Sequence, residues 1–271
     1  MSAGSESPLL KTRPVPAEAA DWEFNAYPDE ESMSVAVANR LIEELRAKPN
    51  ALIGLATGDS PKRAYELMVA RARTEPSLFA QARWIKLDEW GGLTMDDPAS
   101  CESFLRRHVL APLAVPCDRY FGWESQPDDP DVECRRMAAV LAANGPIDVQ
   151  VLGLGANGHL GFNEPADRLQ GGPHIAQLSR ASLSHSMLNL SRGRVSYGLT
   201  IGMDDILQAR RILLIVSGER KARQFHRLVT GNASPDFPAS FLRHRPSVSS
   251  YCDAAAAKLL PPDMPGFRAK N

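Results

Sequence analysis

The sequence predicts an α/β protein: one domain built on a mostly parallel open sheet with helices on both faces. Short apolar runs alternate along the chain with stretches of helical periodicity, which is typical of βαβ units. The run ALIGLA at 51–56 is apolar throughout, as expected of a strand buried on both faces. Polar or glycine-rich sequence follows four of the predicted strands, as it does at the ligand-binding edge of parallel sheets. The predicted architecture is therefore Rossmann-like.

The first elements follow from local signals. Trp22, Phe24 and Tyr27 predict a short opening strand, and the helix that begins at Asp29 carries an apolar stripe before it ends at Pro49. After the ALIGLA strand, Ser60 as N-cap and a proline in the first turn predict a helix over 61–72. The same alternation then predicts strands at 84–87, 147–152, 198–201, 212–216 and 248–251. A loop is predicted to begin at Asp88. Helices are predicted near 100–110, 131–143, 203–207 and 219–229, and after 251.

Composition excludes several classes of protein. Among 271 residues, 31 basic and 32 acidic side chains leave a net charge of −1, so we expect no nucleic-acid partner. The longest aliphatic run, 212–216, is too short for a membrane span. The four cysteines have no CxxC or zinc-finger spacing, and the absence of a signal-peptide pattern favours the cytoplasm. We expect a flexible extension at 1–20, one domain at 21–262 and a tail at 263–271.

Candidate functional residues lie in the segments that follow four predicted strands, at 57–61, 88–90, 153–165 and 217–221. The carboxyl ends of parallel strands meet at one edge of a sheet, so these segments should form a single pocket.

The first segment predicts a phosphate site. Thr57, Gly58, Asp59 and Ser60 lead into a helix N-terminus, where backbone amides and the helix dipole favour an anion. Lys221, at the start of a later helix, could add a positive charge to the same phosphate. The alternatives are an ordinary strand-to-helix turn and a solvated surface lysine.

The second segment begins with Asp88, a carboxylate at a strand end that could act as a general base. Successive residues of a strand face opposite ways, so at most one of Asp88 and Glu89 should enter the pocket. The alternative is that Asp88 caps the next turn.

The glycine-rich third segment predicts an acid–base site. Gly155 and its neighbouring glycines allow a close approach to the ligand, and Asn157, His159 and Glu164 lie among and after them. Histidine titrates near neutral pH, and a nearby carboxylate can hold its ring in one orientation. With no pattern for a metal or cofactor, the residues predict a metal-free acid–base enzyme acting on a small phosphorylated substrate.

The motifs LGLGANGHLGFNEP, ATGDSP and KLDEW resemble those of the glucosamine-6-phosphate deaminase family. CESFL at 101–105 and PASFL at 238–242 are most similar to its bacterial galactosamine-6-phosphate branch. The resemblance implies isomerisation of an amino-sugar 6-phosphate with loss of ammonia, without a cofactor. His159 would open the ring, Asp88 would move a proton from C2 to C1, and Glu164 with Asn157 would orient His159.

The same resemblance implies that residues 57–60, Gly155 and Lys221 contact the substrate. Family members use an arginine for the substrate phosphate where this chain has Leu188 or His185. Two other functions stay open: a 6-phosphogluconolactonase, although GFNEP favours the deaminase, and a non-catalytic sugar-phosphate sensor. A homo-oligomer is also possible.

Overall fold

The computed structural model describes residues 22–245, 247–261 and 267–270. The extension predicted at 1–20 lies outside the described residues. Strands and helices alternate along most of the chain, as the sequence predicts.

Within the described residues the main sheet has eight strands, all parallel, in the order β11-β1-β10-β9-β6-β2-β3-β5. Its central strands carry apolar side chains on both faces, so no face is left for water. The strands are β1 Glu23–Tyr27, β2 Leu52–Leu55, β3 Arg83–Lys86, β5 Tyr120–Phe121, β6 Val149–Gly153, β9 Arg211–Val216, β10 Val248–Asp253 and β11 Phe267–Ala269.

Helices cover both faces of this sheet, which confirms the predicted architecture. Along β9, Leu213 belongs to the core packed under α1 and α2, whereas Leu214 faces the core under α4 and α7. Asp29, Ser100 and Asp129 each cap a helix by accepting a backbone N–H. The helices are α1 Glu30–Ala47, α2 Asp59–Arg71, α3 Cys101–Leu105, α4 Pro130–Asn144, α5 Arg180–Leu183, α6 Met203–Leu207, α7 Ala222–Thr230 and α8 Ala254–Ala257.

A second, three-stranded antiparallel sheet corrects two predictions. The loop expected at Asp88 is instead β4, Asp88–Gly91, and it pairs with β8, Tyr197–Thr200. The strand predicted at 198–201 therefore lies outside the parallel sheet, where β7, His174–Ala176, completes the order β4-β8-β7. Apolar periodicity predicts that a segment is a strand, but it does not reveal the distant partner with which the strand pairs.

Smaller differences concern element ends. The helix predicted over 100–110 is α3 followed by one π-helical turn at Arg106–Leu110, and the helix predicted from 219 starts with a 3₁₀ turn before α7. The short strands β5 and β7 were not predicted. The segment predicted as a tail, 263–271, includes β11, which pairs with β1 at the edge of the sheet.

Candidate active site

The four strands that precede the candidate segments are neighbours in the sheet, in the order β9-β6-β2-β3. Because the sheet is parallel, their carboxyl ends lie at one edge. The segments at 57–61, 88–90, 153–165 and 217–221 therefore meet there, as the sequence predicts.

Asp88 is buried at the start of β4, just beyond the end of β3. Its Oδ1 lies 3.9 Å from Sγ of Cys101. Burial, and then the negative charge of Glu89, raise the pKa of Asp88 to about 7, while Lys86 and Cys101 act in the opposite direction. A carboxylate with a pKa near neutrality is suited to take and return a proton.

Glu89 points away from Asp88 into a buried charged cluster, as strand alternation predicts. Its carboxylate accepts hydrogen bonds from Nζ of Lys86 at 2.7 Å and from the first two amides of α3, those of Cys101 and Glu102, at 2.8 and 2.9 Å. Lys86 also donates to Glu102 at 2.9 Å. This cluster attaches α3 to β4 and so sets the position of Cys101 beside Asp88.

His159 and Glu164 form the pair that the glycine-rich segment predicts. Nδ1 of His159 lies 3.4 Å from Oε2 of Glu164, and Asn157 donates to the same carboxylate oxygen at 2.7 Å. The hydroxyl of Ser182 contacts both, at 3.1 Å from Nδ1 and in a short hydrogen bond to Glu164.

Burial alone would raise the pKa of Glu164. Hydrogen bonds from His159, Ser182 and Asn157, together with the charge of His159, outweigh burial and lower that pKa to about 2. The carboxylate is therefore ionised across the physiological range and can hold the imidazole in place.

Close packing requires glycine at two positions of this segment, Gly155 and Gly158. A Cβ on Gly155 would overlap the ring of His159, and one on Gly158 would overlap the ring of Phe237. Gly158 also has a positive φ of 90°, and its carbonyl accepts from the amide of Ala239 at 2.9 Å. The PASFL segment and Phe237 before it thus pack against the glycine-rich segment.

The segment 57–60 forms the start of α2. Gly58 is the N-cap with φ of 105°, and no side chain caps the helix, so its first amides stay available to an anion. Ser60 is joined to Ser217 by a hydroxyl–hydroxyl hydrogen bond at 3.3 Å, which brings the segment of Lys221 beside it. Burial lowers the pKa of Lys221.

His185 faces the same helix start. Atoms Cε1 and Nε2 of its ring lie 3.6 Å from the position a Cβ would take on Gly58. Nδ1 accepts from the amide of Met187 at 3.2 Å, so the neutral ring carries its hydrogen on Nε2, on the side of Gly58. Ser186 then bonds Asp59 at 3.2 Å and ties this segment to α2. Burial lowers the pKa of His185.

Three side chains in the site were not predicted as functional: Cys101, Ser182 and His185. Each comes from a segment without a phosphate, nucleophile or metal motif, and each is brought in by tertiary packing. Two sequence signals bear on them: the CESFL motif contains Cys101, and the alignment with the family places His185 near an expected arginine.

Nowhere in the ranges given above do three His, Cys, Asp or Glu side chains group closely enough to hold a metal ion. None of the helices in those ranges is both long and apolar enough to cross a membrane.

Residues 28–250 match the family model described as glucosamine-6-phosphate isomerases/6-phosphogluconolactonase. AgaI of Escherichia coli, provisionally named a deaminase, is 39% identical over 78% of this chain and 84% of its own length. A glucosamine-6-phosphate deaminase of Rhodopirellula baltica is 37% identical over 88% of this chain and 96% of its own.

Solved structures agree with this relationship. A monomeric glucosamine-6-phosphate deaminase superposes with a TM-score of 0.81 at 32% identity, covering 88% of this chain and 99% of its own. The 6-phosphogluconolactonase of Trypanosoma brucei superposes with a TM-score of 0.73, covering 89% of this chain and 99% of its own. At 19% identity the second shows a shared fold alone. The chain belongs to the family of glucosamine-6-phosphate isomerases and 6-phosphogluconolactonases.

Proposed function

We propose that the protein is a hexosamine-6-phosphate deaminase, which converts an amino-sugar 6-phosphate and water to the ketose 6-phosphate and ammonia. One observation carries the proposal: the buried carboxylate of Asp88, with its pKa near 7, is at the same sheet edge as the His159–Glu164 pair. A proton transfer between neighbouring carbons needs such a base, and ring opening needs such an acid–base pair. The deaminase relatives support the same assignment.

The substrate phosphate would lie at the start of α2. Free amides after Gly58, the ammonium of Lys221 and the Nε2–H of His185 supply donors of the kind that bind phosphate. Ser60 adds a hydroxyl, Thr57 borders the same helix start with its hydroxyl donating to Cys101, and Asp59 is held aside by Ser186. In this assignment His185 takes the part that the family gives to an arginine.

The reaction begins with ring opening. His159, oriented by Glu164 and Asn157, takes the proton of the C1 hydroxyl and returns a proton to the ring oxygen, which leaves the open-chain aldehyde. Asp88 then removes the proton from C2 while the aldehyde oxygen gains one, and an enolamine forms.

Asp88 next returns its proton to C1, which leaves an iminium carbon at C2. Water adds to C2, the nitrogen gains a proton, and ammonia departs as the ketone forms. The net change is one water consumed and one ammonia released, with no net oxidation.

The finer proposal is a preference for galactosamine 6-phosphate. It rests on CESFL and PASFL, the two segments most similar to the galactosamine branch. CESFL supplies Cys101 beside Asp88, and PASFL supplies the contact of Ala239 with Gly158, so both border the site.

The test is ammonia release from purified protein with galactosamine 6-phosphate and glucosamine 6-phosphate side by side. Ammonia from either substrate is expected, with the larger kcat/KM for the galactosamine ester. The Asp88→Asn variant controls for contaminating activity and should release no ammonia.

Release of ammonia only from the glucosamine ester would overturn the finer proposal. Hydrolysis of 6-phosphogluconolactone without ammonia would make the protein a lactonase. Binding without turnover would make it a sensor.

A further inference from the structure

We propose that Cys101 is a positioning residue for Asp88: its thiol donates a hydrogen bond that orients the carboxylate and adjusts its basicity. The proposal rests on the proposed function, because it assigns a part to Cys101 in the proton transfer performed by Asp88. It concerns the CESFL segment, in which no other residue of the proposed mechanism lies.

The backbone of Cys101 is held by the buried charged cluster around Glu89. Cys101 is the first residue of α3, and its amide donates to Oε1 of Glu89 at 2.8 Å. Glu89 is in turn fixed by the buried ammonium of Lys86. The side chain is 1% exposed, so water does not compete for the thiol.

The thiol of Cys101 lies between Thr57, in the expected phosphate site, and the carboxylate of Asp88. The hydroxyl of Thr57 donates to Sγ at 3.3 Å, which leaves the single hydrogen of the thiol free for another acceptor. That acceptor is Oδ1 of Asp88 at 3.9 Å. Among the residues that the structure describes, Cys101 is the only side chain with a hydrogen bond to this carboxylate.

A thiol suits this position because it is a weak donor. Burial raises the pKa of Cys101 well above its ordinary value, so the sulfur keeps its hydrogen. A strong donor would stabilise the ionised carboxylate and weaken the base, whereas an apolar neighbour would leave the ionised form without a partner. The thiol lies between these extremes and lowers the pKa of Asp88 only in part.

The test is the pH profile of kcat/KM for Cys101→Ala. The acid limb reports ionisation of the base in the free enzyme. Loss of the donor should move it upward by about 0.5 unit, so that activity on the acid side falls about threefold and recovers at high pH. Cys101→Ser replaces the thiol by a hydroxyl, which is also a donor. In this variant the acid limb should lie at the wild-type pH or at a lower pH. Cys117→Ala, which removes a thiol from the 3₁₀ turn before β5, at the opposite edge of the sheet, is the control.

A second measurement separates positioning from packing. The alcohol 2-amino-2-deoxygalactitol 6-phosphate keeps the phosphate of the preferred substrate but has no C1 carbonyl, so we expect it to bind without reacting. Its inhibition constant should stay within about twofold of wild type in Cys101→Ala, since the binding groups remain. The proposal would be overturned if the acid limb of Cys101→Ala stayed at the wild-type pH. It would also be overturned if Cys101→Ala and Cys101→Ser showed the same acid limb. Failure of the proposed function is distinct, because the wild type itself would then release no ammonia.

Discussion

Nδ1 of His159 lies 3.4 Å from Oε2 of Glu164, and the hydroxyl of Ser182 contacts both side chains. The carboxylate accepts from three side chains and a backbone amide, so its position is strongly determined. In the proposed reaction, an imidazole held in this way through Nδ1 presents its other ring nitrogen to the substrate.

Glu164→Gln should lower kcat about 100-fold with a small change in KM, because the imidazole loses its orienting charge but the phosphate donors remain. Steady-state ammonia release measures this. Glu43→Gln, an exposed change on α1, is the matched control and should keep wild-type kcat. An equal loss of kcat in both variants would contradict the assignment.

Glu164 also predicts a dependence of stability on pH. Its pKa is lowered to about 2 in the folded protein, so the ionised side chain stabilises the fold above its ordinary pKa of 4.5. This contribution is lost as the pH falls towards 2. In Glu164→Gln the contribution is absent, so wild type and variant should converge in melting temperature on acidification.

Asp88→Asn should abolish ammonia release and yet stabilise the protein at pH 8. Burial raises the pKa of Asp88 to about 7, so between its ordinary value of 3.8 and 7 the folded state binds more protons than the unfolded state. Stability therefore falls as the pH rises through this window, and above it the ionised buried carboxylate destabilises the fold. Asparagine is neutral at every pH and avoids that cost.

The measurement for Asp88→Asn is the melting temperature at pH 8 and at pH 5. We expect a gain of at least about 2 °C at pH 8 and a smaller gain at pH 5. The inhibition constant of 2-amino-2-deoxygalactitol 6-phosphate should change little. A variant that is less stable at both pH values would show that Asp88 has a structural part instead of a catalytic one.

The sequence predicted that Asp88, His159 and Glu164 lie at one edge of the sheet, but it did not predict the side chains that surround them. Asp88, His159 and Glu164 follow the apolar runs of β3 and β6, and the parallel arrangement alone brings those strand ends together. Ser182 reaches Glu164 across 18 residues of chain, in a short helix with no recognisable pattern. Contacts of this kind depend on tertiary packing.

The structure at Asp88 shows that prediction of the fold has the same limit. Asp88 was predicted to start a loop because the apolar run ends before it, whereas β8 pairs with it more than a hundred residues later in the chain. Alternation of side chains still assigned the two acidic residues to opposite sides of the backbone. The local pattern thus predicts the side of the backbone on which each acidic side chain lies. The second sheet depends instead on β8, which is distant in the chain.

Lys221→Ala and His185→Ala should each raise KM about tenfold with a smaller effect on kcat, because each removes a donor to a charged phosphate. Inorganic phosphate should inhibit both variants more weakly than wild type by a similar factor. Lys62→Ala, an exposed lysine of α2, is the control and should keep wild-type values. An unchanged KM in His185→Ala would remove that residue from the phosphate site.

Gly155→Ala should disable the enzyme through the ring of His159. An added Cβ would overlap the ring, so the imidazole must move away from the position that Glu164 and Ser182 define. A displacement of about 1 Å can cost about 100-fold in rate, and we expect a fall in kcat of that order. Gly153→Ala is the matched control, because a Cβ there meets no atom within 4 Å. Because both changes add one methyl group to the same segment, equal losses in the two variants would show that backbone freedom, and not the close approach to His159, is what the segment needs.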